Sequence, residues 1–88
     1  MRFEFDPQKA ADTLHKHGVS FADAEGVFGD VLAIHREDAG AQGEARYIGV
    51  GMSSAGEILV VCYTLRDEAI RLISARRATK REVKAYEG

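Results

Sequence analysis

The chain of 88 residues is 45% apolar and 30% charged, which suits one soluble folded domain and excludes a disordered chain or two independent cores. A single cysteine, Cys62, excludes a disulfide framework and fits a reducing cytoplasm, and the longest apolar run, Ile58 to Tyr63, is far too short for a membrane span. The net charge of -2 hides a split: residues 1–65 carry 5 Lys/Arg against 10 Asp/Glu, and residues 66–84 carry 7 against 3, so an acidic body precedes a basic stretch.

At the start, Met1-Arg2-Phe3-Glu4 has none of the apolar stretch of a signal peptide. Phe3-Glu4-Phe5 alternates and predicts a short edge strand. Asp6 and Pro7 are an N-cap and a first helical residue. The helix runs to about His17, with Ala10, Thr13 and Leu14 inward, and Gly18 ends it. Ser20 opens a second helix with Asp23 as its capping partner, and Phe21, Ala24 and Phe28 form its apolar stripe. Val31 to His35 is a short strand, and residues 36–43 are a polar loop. Tyr47 to Met52 is the next strand, with Ile48, Val50 and Met52 on one face. Its other face, Tyr47, Gly49 and Gly51, is unusually bare, as a packing helix or a close partner backbone would require. Ser53 to Gly56 is a turn. Ile58 to Leu65 is β-branched and apolar, the pattern of a central strand. Arg66-Asp67 turns the chain into a last strand, Ala69 to Ala75. Thr79 and Glu82 have capping-box spacing and open a helix ending near Tyr86. The fold class is α+β: an antiparallel β-meander packed by two N-terminal helices and one C-terminal helix, with the inner face of the sheet under the helices.

Common enzyme signatures are absent: no GxSxG, no GxxxxGK[ST], no HExxH and no CxxC. His15 and His17 point to different helix faces, so no metal site is expected there. The basic stretch says more. Simple alternation puts Arg71, Ile73 and Ala75 on one face and Ile70, Leu72 and Ser74 on the other. An arginine inside a sheet must reach solvent, pair with a carboxylate or line a cleft. Arg76, Arg77, Lys80, Arg81 and Lys84 follow. Arginine forks match phosphate oxygens and draw polyanions, and Tyr47, Tyr63 and Tyr86 offer stacking faces. A phosphate-rich ligand such as RNA fits these features; a solvated helix face also accounts for Arg76 to Lys84.

Several segments resemble one family. Asp6-x-x-Lys9, Lys16-His17-Gly18-Val19-Ser20-Phe21 and Ala22-x-Ala24 look like the start of BrnT toxins of type II toxin–antitoxin systems. Gly43-Glu44-Ala45-Arg46-Tyr47-Ile48 is similar to that family's E-x-R-[WY]-I segment. Val60-Val61-Cys62-Tyr63-Thr64 resembles its V-V-x-Y-T strand. Ile70-Arg71-Leu72-Ile73-Ser74-Ala75-Arg76-Arg77-Ala78-Thr79-x-x-Glu82 resembles its I-R-I-I-S-A-R-[KR]-A-T-x-x-E block, with Tyr86 at the final aromatic. Thr13 and Val31 stand where the family commonly has Asn and Pro, both in structural settings.

The resemblance implies a RelE/ParE-like toxin fold and a small cytoplasmic ribonuclease that cleaves RNA and arrests translation. It implies a BrnA-type antitoxin with a ribbon-helix-helix DNA-binding part, and contact with DNA only through that complex. No cofactor and no metal are expected, because the RNA 2′-OH is itself the nucleophile. Candidates for the proton-transfer and charge-stabilising work are His17, Glu44, Tyr63, Arg71 and Arg76. Lys16, Arg46, Arg77 and Lys80 are candidates for phosphate binding. Two rival readings use the same arginines: a non-catalytic RNA- or ribosome-binding module, and an inactive homologue that serves only as an antitoxin partner.

Overall fold

The computed structural model describes residues 1–88. Strand β1 (Arg2–Phe5) leads into helix α1 (Pro7–His17). Asp6 caps α1 by accepting the Gln8 amide at 2.9 Å. Gly18 ends it at φ 66°, a conformation glycine adopts without cost. Ser20 caps the short helix α2 (Phe21–Ala24), accepting the Asp23 amide at 3.1 Å. The helix then tightens into a 3-10 turn, Glu25–Gly29, instead of continuing to Phe28 as the apolar stripe suggests. Phe28 still packs against the core from there.

The strands are β2 (Ile34–Glu37), β3 (Tyr47–Met52), β4 (Ile58–Arg66) and β5 (Ala69–Arg77), followed by helix α3 (Lys80–Glu87). Strand β2 begins later than its apolar run predicts. Asp30 accepts the Leu32 amide at 2.9 Å and holds Val31 and Leu32 in a turn.

The sheet order is β1-β5-β4-β3-β2. Strands β2 to β5 form the expected antiparallel meander. Strand β1 departs from it and pairs with β5 in parallel, Phe3 opposite Ile70 and Phe5 opposite Leu72. The helices separate β1 from the meander, so no hairpin imposes an antiparallel partner. The sheet is therefore mixed.

Helices α1 and α2 and the 3-10 turn cover one face. The core there is Val19, Phe21, Ala24, Val27, Leu59, Val61, Tyr63, Leu72 and Ala75. Within α1 Ala10 packs against the core and Thr13 is buried, as expected, whereas Leu14 is 55% exposed, against its sequence expectation. The bare face of β3 is filled from two sides. The His35 ring lies over Gly49, and Val27 and Ala33 close on Gly51. Helix α3 does not join this layer. It packs on the opposite face, where Ala85 and Tyr86 share a groove with Ile34 and Val50.

Gly26 in the 3-10 turn faces the 53–54 turn so closely that a Cβ would collide with the Ser54 backbone nitrogen. That amide also donates to the Asp23 carbonyl. Gly26→Ala is expected to cost about 2 kcal/mol, since backbone must move on one side. A thermal melt checks this; an unchanged midpoint contradicts the contact.

Candidate functional site

The cleft side of β5 depends on one irregularity. Cys62 lies opposite Ser74 but Tyr63 lies opposite Leu72, leaving Ile73 as the extra residue of a bulge. A bulge reverses the alternation that follows it. Leu72 and Ala75 consequently both face the core. Arg71 and Ser74 are freed for the other side, contrary to the simple alternation that groups Arg71 with Ala75.

Two adjoining clefts open along α1 and β5. The first, of about 200 Å3, is lined by Lys9, Gln42, Glu44, Arg46, Thr64, Arg66, Arg71 and Ile73. The second, of about 220 Å3, is lined chiefly by Lys9, Asp12, Lys16, His17 and Ser74. Lys9 and Ile73 border both. The structure thus gathers Glu44, Arg46 and Arg71 in one cleft and Lys16 and His17 in its neighbour.

Ion pairs set the electrostatics. Arg66 grips Glu44 through two bonds, Nε to Oε2 at 3.1 Å and Nη2 to Oε1 at 3.0 Å. That guanidinium holds the Glu44 carboxyl below its usual range, so Glu44 is ionised at neutral pH. Glu44 does not pair with Arg46, its neighbour two residues on. Arg71 makes one long contact, 3.4 Å, to Glu4. No ion pair engages Lys9, Lys16 or Arg46. These three cations, with the weakly held Arg71, are free to meet an anion. No group of three or more His, Cys, Asp or Glu side chains is placed to hold a metal ion.

Four other candidates are not brought to these clefts. Tyr63 is buried in the helix-covered core, where it shares a 2.8 Å hydrogen bond with His35 Nδ1 and lies edge-on to Phe28. Burial pushes its phenol pKa up. Its β4 position puts it on the core face, one residue from the cleft-lining Thr64. Arg76 is committed to Glu82 through bonds of 2.8 and 3.0 Å, which pin α3 to the sheet. Arg77 binds Glu57 at 2.6 Å and the His17 carbonyl at 2.8 Å, so it ties β5 to the end of α1. Lys80 is an exposed first residue of α3. The basic 76–84 segment is mostly a helix strap.

Lys9, Arg66 and Thr64 line the first cleft without having been singled out in the sequence as site residues. Lys9 stands in the family-like Asp6-x-x-Lys9 text, and Arg66 reads as a turn residue. Thr64 closes the family-like Val60-Val61-Cys62-Tyr63-Thr64 strand and lies opposite Arg71.

Glu82 shows what the strap contributes. The Arg76 guanidinium and the Thr79 amide hold its pKa at about 2, down from 4.5. A depressed carboxylate pKa stabilises the fold above about pH 4.5, and the gain is lost as pH falls toward about 2. The pair is partly solvated, so its worth is about 1 kcal/mol. The stability gap between the wild type and Glu82→Gln is expected to close between pH 4.5 and pH 2 in denaturant titrations. A gap that persists through that window contradicts the assignment.

The family profile described as the ribonuclease toxin BrnT of type II toxin–antitoxin systems matches residues 5–82. A search of curated proteins gives no significant match. Among solved structures, the 1.1 Å crystal structure of the Brucella abortus ribonuclease toxin BrnT is similar in fold, with a TM-score of 0.67 and 24% identity. The match covers 91% of this chain and 99% of that one. The chain belongs to the BrnT family of ribonuclease toxins of type II toxin–antitoxin systems.

Proposed function

We propose that this chain is an endoribonuclease that cuts RNA without a metal ion, through attack of the 2′-OH on the adjacent phosphorus. The observation that carries the reading is the convergence of Lys9, Glu44, Arg46 and Arg71 on one cleft beside Lys16 and His17. The reaction forms the 2′-O–P bond and breaks the P–5′-O bond. Arg46, Arg71 and Lys9 neutralise the charge that grows on the phosphoryl oxygens. Glu44, released by Arg66 when RNA enters, takes the 2′-OH proton. His17 returns a proton to the leaving 5′-oxygen. Lys16 supports the neighbouring nucleotide.

Tyr63, Arg76, Arg77 and Lys80, expected from the sequence at the site, serve the core and the strap instead. Tyr63 keeps a polar partner in the core. The arginines hold α3 and α1, and Lys80 adds only surface charge for a long RNA.

Membership of a type II family implies an antitoxin partner. We assign that partner to the BrnA type, with a ribbon-helix-helix part through which the complex reaches DNA. No helix of the chain is long and apolar enough to cross a membrane. A cytoplasmic setting and arrest of translation agree with RNA as substrate. Helices layered on a largely antiparallel sheet also agree with a RelE/ParE-like relationship.

The grip of Arg66 on Glu44 favours one alternative, an RNA-binding module without proton transfer. One experiment separates the two. Purified protein in excess EDTA, mixed with end-labelled RNA, is expected to yield fragments ending in 2′,3′-cyclic phosphate. Binding without cleavage supports the module. Cleavage that stops with chelator and returns with a divalent ion overturns the metal-free step.

A further inference from the structure

The first cleft contains a polar group that the fold leaves unexplained. Thr64 is 3% exposed, and its hydroxyl oxygen is buried with no hydrogen-bond partner. An unpaired buried hydroxyl costs stability, and almost every other buried polar side chain of this fold is satisfied. Thr64 nonetheless lines the cleft rather than the core.

Strand register explains what surrounds it. Thr64 lies opposite Arg71 across β4 and β5, and Arg71 lies opposite Glu4 across β5 and β1. The β3–β4 register places Tyr47 opposite Tyr63. Continued by one step, it sets Arg46 opposite Thr64. Arg46, Thr64 and Arg71 therefore stand in one row across the sheet, at the spacing where neighbouring side chains meet. Lys9 joins them from α1.

Arginine and lysine only donate, and the Thr64 hydroxyl has a proton with no acceptor. A base or a ribose presents donors of its own and would leave some of these groups facing donors. A phosphodiester presents acceptor oxygens alone and satisfies them together.

We infer that Thr64 is the floor ligand of a seat for one phosphate group, completed by Arg46, Arg71 and Lys9, whose side chains part to uncover the hydroxyl as the phosphate enters. The inference rests on the RNA reading above for the identity of the polymer, and it deepens that reading by dividing the two clefts. The phosphate takes the first. The adjoining nucleoside takes the second, where Asp12 and Ser74 add acceptors beside Lys16 and His17.

The test uses Thr64→Val, which keeps the shape and removes the hydroxyl, and Thr64→Ser, which keeps the hydroxyl. Each is titrated by NMR with inorganic phosphate and with a 2′-O-methyl RNA oligonucleotide that cannot be cut. Thr64→Val is expected to melt at or above the wild-type temperature and to bind both probes about tenfold more weakly. Thr64→Ser recovers the binding. Thr64→Val binding both probes as tightly as the wild type overturns the seat, as does a wild type that binds neither. A wild type that binds phosphate in a Thr64-dependent way but cuts no RNA keeps the seat and removes the ribonuclease reading. If Thr64→Val does not fold, Thr64→Ala is read in the same assay.

Discussion

Replacing Arg46 with alanine is expected to lower RNA cleavage by about a hundredfold, the usual effect of removing one preorganised donor from developing phosphate charge. The melting temperature stays within a few degrees, because Arg46 is exposed and makes no ion pair. Arg76→Ala is expected to behave in the opposite way. Arg76 spends its guanidinium on Glu82, so its loss costs about 1 kcal/mol of stability and leaves cleavage within a few-fold. Single-turnover cleavage of a short RNA, run beside melts of both variants, reads the contrast. Equal losses of activity would show that both arginines touch substrate and would return the site to the basic segment. Unfolding of Arg46→Ala would make that residue structural.

Leu72→Ala is the second large effect. Leu72 is fully buried, with Phe5 and Tyr63 as its cross-strand neighbours on β1 and β4. Truncation removes buried methyl groups and leaves a cavity, at a cost of about 3 kcal/mol. A domain of this size has roughly 4 to 13 kcal/mol to lose, so the melting temperature falls by about 12 °C or more. Leu14→Ala is the control. Leu14 is 55% exposed on α1, and its truncation costs about 0.5 kcal/mol or less. Similar midpoints for the two variants would mean that β5 does not carry Leu72 into the core.

The same two leucines show what could be read in the sequence. Period and caps predict the ends of α1 and α3 well, because Asp6, Gly18, Thr79 and Glu82 each act locally. The choice between Thr13 and Leu14 as the inward residue is not local. It depends on how α1 docks beside β5, and one residue is about 100° of helix rotation. The meander is legible from short turns, whereas the parallel pairing of β1 is a long-range choice of edge. Asp30 also acts at a distance. It accepts the amides of Leu32 and Met52 and the hydroxyl of Tyr86, and these bonds hold its carboxyl below the usual range. One side chain thereby sets the start of β2 and the docking of α3.

The site divides along the same line. Glu44, Arg46, Arg71, Lys16 and His17 are all present in family-like text, and the fold gathers them. Arg71 reaches the cleft only because the bulge at Ile73 lets Leu72 and Ala75 share the other face. Strand alternation alone cannot show a bulge. The basic stretch misleads for a simple reason. Charge counted along the chain ignores partners: Glu57 comes from the approach to β4 to occupy Arg77, and Glu82, inside the stretch itself, occupies Arg76. The unpaired cations that line the clefts, Lys9, Lys16 and Arg46, all lie in the part of the chain that counts as acidic.

The most direct test of this assignment is chemical-shift mapping of the labelled protein with a 2′-O-methyl RNA oligonucleotide. The largest shifts are expected at Lys9, Lys16, His17, Glu44, Arg46, Thr64, Arg66 and Arg71, along the two clefts beside α1 and β5. Shifts confined to Arg76, Arg77 and Lys80 through Lys84, with those positions unmoved, would contradict it.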